Sequence, residues 1–128
     1  MRGQASLELL LLLSVLVAVL YISLSLLGKT YSLGASAIES SSAKSLLQEI
    51  AATANEACAM GDGNSRVLST GQEFSLEYSR GLLFLPYRNG KASAQVRCEI
   101  QIPDSKFPAG QVLAENRQGI IFIGKSPE

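Results

Sequence analysis

The chain has 128 residues, 11 basic and 11 acidic side chains, no histidine and two cysteines. The balanced charge gives no electrostatic basis for a nucleic-acid partner, which would need a basic patch to neutralise phosphates. Without histidine, and with two distant cysteines unable to complete a thiolate zinc site, the sequence offers no catalytic constellation and no metal or cofactor is expected.

In chain order the first element is the run LLLLLSVLVAVLYISLSLL, residues 9–27, which carries no charge. As a helix of about 19 residues it spans roughly 28 Å, close to one bilayer hydrocarbon core. Arg2 precedes it and Lys29 follows it, so the flanking charges give only a weak preference for an inside N-terminus. Composition alone leaves three readings. The run is a permanent membrane anchor, a secretory signal ending near Ala35-Ser36-Ala37, or part of a longer processed device. A secretory signal fits least well. Its apolar region is usually shorter, and Lys29 and Tyr31 separate this run from the small-residue triplet by too long a spacer.

The residues just before the run read Arg2-Gly3-Gln4-Ala5-Ser6-Leu7-Glu8. This stretch resembles the class III signal of archaeal type IV pilins, in which a basic residue and a glycine precede a Gln-x-Ser-x-Glu core. The resemblance covers roughly ten residues and the generic apolar helix behind them; no motif is shared beyond residue 60. It implies that Arg2, Gln4, Ser6 and Glu8 form the recognition motif. A prepilin peptidase would cut between Gly3 and Gln4, remove the three-residue leader and leave the apolar helix on the product. The implied partners are identical or related pilin subunits, the peptidase, the assembly machinery in the membrane, and membrane lipid before assembly.

Glu8 also has a physical rationale of its own. Cleavage would create an α-amino group one helical turn away, cationic below a pKa of about 7.7–8.0. Among parallel helices the amino group of one subunit can meet Glu8 of the next. Breaking such a buried pair costs roughly 3–5 kcal/mol, so it serves mainly to fix register during assembly. Cyclisation of an N-terminal glutamine would remove the amino charge and leave Glu8 in need of another partner. Outside a filament, Glu8 is a headgroup-facing anion at a helix start, where it complements the helix dipole.

Beyond Gly28 and Gly34, which predict a bend because each weakens a helix by about 1 kcal/mol relative to alanine, the pattern becomes amphipathic. Ala43, Leu46, Leu47, Ile50, Ala51, Ala54, Ala57 and Cys58 follow helical spacing and form one apolar stripe. The intervening SAIESSSAKS reads either as poor helix or as a solvated linker, and the chain contains no Asn-x-Ser/Thr sequon. Gly61 is suited to a left-handed cap, and Gly61-Asp62-Gly63-Asn64 is a helix stop too short for a calcium loop.

From Arg66 onward the period changes to two. Phe74, Leu76 and Tyr78 alternate with polar residues in QEFSLEYS, as do Ala94, Val96, Cys98, Ile100 and Ile102 in SAQVRCEIQI. Ser79-Arg80-Gly81 and Asn89-Gly90 predict tight turns, and QVLAENRQGIIFIG predicts a final hairpin turning near residues 116–119. Four to six antiparallel strands are expected. Their apolar face needs a cover, which the stripe at residues 43–58 provides. Cys58 lies on that stripe and Cys98 on the inward strand face, so a disulfide is predicted, with two buried free thiols as the alternative.

The sequence therefore predicts an α+β fold: a leader at residues 1–3, a helix over residues 4–60, and an antiparallel β domain over residues 61–128. The expected function, implied by the pilin resemblance, is a non-enzymatic structural subunit of a surface filament. It would sit in the cytoplasmic membrane as precursor and outside the cell once assembled. The alternative is a single-pass membrane protein presenting a small extracytoplasmic β binding domain.

Overall fold

The computed structural model describes residues 2–127. Met1 of the expected leader and the side chain of Arg2 in the expected signal motif lie outside the described residues. Helix α1 runs Arg2–Met60 and is followed, among the described residues, by nine strands. The helix continues through Gly28, Gly34 and the serine-rich stretch, so the linker reading of that stretch is corrected. Neither glycine has a positive φ, and one or two interior glycines lower helix stability without forbidding it.

The chain divides into two compact units, Met1–Ala37 and Ile38–Glu128. All the buried apolar residues belong to the second unit. Within it, the last part of α1 buries Ala43, Leu47, Ile50, Ala51, Ala54 and Ala57, with Leu46 and Cys58 partly buried beside them. This is the stripe read from the 3.6-residue period. Gly61 ends the helix at φ 87°, a value that favours glycine because it has no Cβ to clash.

The strands are β1 (Ser65–Thr70), β2 (Phe74–Ser75), β3 (Glu77–Ser79), β4 (Leu82–Tyr87), β5 (Gly90–Gln95), β6 (Glu99–Gln101), β7 (Lys106–Phe107), β8 (Gly110–Arg117) and β9 (Ile120–Lys125). They form a sheet β1-β8-β9-β6, a pair β2-β7 and a meander β3-β4-β5. Nine short strands thus replace the four to six expected. One pairing, β6 with β9, is parallel in a domain otherwise built antiparallel.

The extra strands arise where tertiary partners take backbone donors out of a ladder. In SAQVRCEIQI the inward alternation persists, with Val96 and Ile100 buried and Ala94, Cys98 and Ile102 partly buried, but the strand breaks after Gln95. The Val96 N–H donates to the Gly81 carbonyl at 3.1 Å, and the Arg97 N–H to Asn55 Oδ1 on the helix at 2.9 Å. The chain then moves from the meander to the other sheet. QEFSLEYS divides in the same way at Leu76, whose N–H donates to the Ser105 carbonyl at 3.0 Å.

The turns follow the predicted sites with one difference in mechanism. Arg80 and Gly81, at φ 51° and 81°, connect β3 to β4, and Gln118 and Gly119, at 56° and 86°, connect β8 to β9. These left-handed pairs match strand twist. At the β4–β5 turn, however, the central residues are Arg88 and Asn89, and Gly90 is the first strand residue, paired with Tyr87. Gly90 has no positive φ there. A Cβ on it would come within 2.9 Å of Tyr87 Oη, so the glycine admits the tyrosine ring. Pro86 is tolerated in the middle strand because β3 pairs only with Leu82, Leu83 and Phe84, ending before it.

Candidate functional site

In the first unit, Gly3, Gln4, Ser6 and Glu8 all lie exposed in the opening turns of α1. Gly3 has no positive φ, and a Cβ added to it would meet nothing within 4 Å. Nothing in the fold of this chain asks for glycine at that position. Glu8 has no ion-pair partner among the described residues.

Behind Glu8 the helix is apolar on every side. The large hydrophobics from Leu7 to Leu27 are all at least 54% exposed, so none is covered by the chain itself. By length and composition the helix can cross a membrane, and its most apolar window is 0% buried. Its hydroxyls are adapted to such a setting. Ser14 donates to the Leu11 carbonyl at 2.8 Å, Ser23 to Val19 at 2.8 Å, Ser25 to Tyr21 at 2.9 Å and Thr30 to Leu26 at 2.9 Å. Each O–H is satisfied inside the helix and needs no water, which lowers its cost in hydrocarbon.

The second unit is a head held together by covalent and polar ties. Cys58 and Cys98 form the predicted disulfide, with Cα atoms 6.0 Å apart. On the helix, Asn55 holds the Arg97 N–H at 2.9 Å and Glu39 Oε1 accepts the Arg88 N–H at 3.1 Å. At the other end of the head, Asn116 is 2% exposed. Its Nδ2 donates to the Ala57 carbonyl at 3.2 Å, and its Oδ1 accepts from the Gly119 N–H at 2.9 Å. Its backbone also pairs with Gly63 and Asn64, so one residue ties helix end, connecting loop and final hairpin. Sequence reading placed Asn116 only at a turn. The available signal was its alternation with Val112 and Ala114, which puts a polar side chain at a core-facing position.

Asp62 is held as well, its Oδ1 accepting the Gln118 N–H at 2.6 Å. Among the described residues, no group of three or more His, Cys, Asp or Glu side chains converges to hold a metal. The second unit is covalently cross-linked, and the apolar helix of the first is uncovered. No family model, curated protein or solved structure matches the chain.

Proposed function

We propose that this chain is a pilin-like structural subunit, cleaved before Gln4 and assembled into a surface filament through its N-terminal helix. The alternative of a permanently anchored membrane protein uses the same apolar helix but gives Gly3, Gln4 and Ser6 no role and leaves Glu8 as a headgroup-facing anion. The observation that carries the proposal is the conjunction of an exposed Gly-Gln-x-Ser-x-Glu stretch with the uncovered helix immediately behind it. Gly3 is dispensable to the chain's own fold, as expected if an external enzyme reads it. Glu8 lacks an internal partner, as expected if a neighbouring subunit supplies one.

The helix itself offers a second support. Ser14, Ala18, Tyr21, Ser25, Gly28, Ser32 and Ala35 recur at alternating four- and three-residue steps, and all but Tyr21 are small. Such a stripe lets helices approach closely and gives Gly28 a use that its open surroundings within the chain do not. In this reading lipid covers the helix first and other subunits cover it later. The head faces outside, where a disulfide persists.

Incubating membranes that contain the full-length chain with an archaeal prepilin peptidase tests the proposal. A product beginning at Gln4, abolished by Gly3→Val, is the expected result; a chain left uncut under conditions that process a known pilin would refute it.

A further inference from the structure

Within the head, the short pair β2-β7 and the end of β9 border an open cavity of about 550 Å³. Its apolar lining comes from Phe74, Pro86, Phe107 and Pro108. The two phenylalanine rings are stacked, with centroids 5.1 Å apart, and both are buried, so they form a fixed floor. A second cavity of about 570 Å³ shares Phe107, Pro108 and Lys125 with the first and is also lined by Gln111 and Ser126. The first cavity is an open furrow.

Lys106 and Lys125 both line this furrow. Lys125 continues the alternation of the buried Ile121 and Ile123 and stands opposite the buried Val112 in the ladder. The core-facing register of β9 therefore ends in a cation at the furrow. Among the described residues neither lysine has an ion-pair partner, whereas Arg66, Lys91 and Arg117 are paired with Glu56, Glu77 and Glu115. Glu73 also lines the first cavity, and it too is outside those pairs.

We propose that this furrow binds an oligosaccharide bearing carboxylates, of the uronic acid type. The two ammonium groups pair with sugar carboxylates, while Glu73 and the Ser75 hydroxyl accept hydrogen bonds from ring hydroxyls. The C–H faces of the sugar rest on Pro86 and Pro108. An acidic peptide adding as a strand is disfavoured because β2 and β7 have two residues each, too short to template one. A polyphosphate is disfavoured because, unlike a sugar, it has no hydroxyl to donate to the Glu73 carboxylate. The volume lies in the range of small-ligand sites.

The site lies entirely in the second unit and its occupancy does not require a filament. Binding of trigalacturonate and of the neutral trisaccharide maltotriose is measured by calorimetry on the detergent-solubilised full-length chain, alongside Lys125→Gln and Lys106→Gln. Intact mass checks that the disulfide is present in each. The expected result is binding of trigalacturonate that weakens with added salt, no binding of maltotriose, and about tenfold weaker binding in either variant. No binding of trigalacturonate, equal binding of the neutral sugar, or unchanged affinity in both variants would overturn the proposal. Tighter binding of an acidic peptide or of tripolyphosphate would likewise overturn it.

Discussion

Asn116 and Asp62 make hydrogen bonds of similar kind to the same hairpin turn, yet their environments assign them different weights. Asn116 is buried and donates to the carbonyl of the fully buried Ala57 as well as accepting from the Gly119 N–H, so its removal leaves that buried carbonyl unpaired. Asn116→Ala is expected to destabilise the head by about 2–3 kcal/mol. Asp62 is exposed, and water can replace its carboxylate on the Gln118 N–H. Asp62→Ala is expected to cost less than about 1 kcal/mol, and urea unfolding of the two variants side by side checks the order. Glu8 differs from both because nothing within the chain uses it. Glu8→Ala should leave unfolding of the head unchanged while sharply reducing filament number in electron micrographs; normal filament numbers would remove its assembly role.

At the scale of elements, the two parts of α1 answer to different solvents. Residues 9–27 present leucine and valine in all directions with their serine hydroxyls internally bonded, which suits lipid or other helices. Leu16→Arg places a cation near the middle of that run at a cost of about 2.5–3.5 kcal/mol for insertion, and is expected to lower the carbonate-resistant membrane fraction. The later turns are apolar on one stripe only and are fixed to the sheets by the Cys58–Cys98 bond. A 40-residue separation between the cysteines corresponds to about 4 kcal/mol in the chain-entropy model, so Cys58→Ser with Cys98→Ser should lower head stability by that order.

The same elements explain what could be read beforehand. The helical stripe and the inward alternation of Ala94, Val96, Cys98, Ile100 and Ile102 were legible because burial imposes period, and the disulfide followed from both. The division of that run into β5 and β6 was not legible, since it depends on Asn55 reaching the Arg97 N–H from 42 positions away. The parallel β6–β9 pairing follows from that break. β1 was hard to single out for another reason: it is an edge strand with Ser65, Arg66, Val67 and Ser69 exposed, so alternation leaves little trace. The furrow was invisible for a similar cause, because Lys106 and Lys125 meet the same cavity only through the fold.

On the scale of the whole molecule, one unit has a finished core and the other has none. The head buries its own apolar faces around Leu47, Leu83, Phe107 and Ile121, whereas every large hydrophobic of the N-terminal run is left for something outside the chain to cover. A membrane alone would meet that need but would leave Gly3, Gln4 and Ser6 without purpose and Glu8 as no more than a headgroup-facing anion. The proposed filament, built after cleavage, would give Gly3, Gln4, Ser6 and Glu8 each a role. The most direct test is the intact, unreduced mass of the chain recovered from sheared surface filaments. The account predicts a species lacking Met1, Arg2 and Gly3 and retaining the Cys58–Cys98 bond; a chain found only in membranes with those three residues still attached would contradict it.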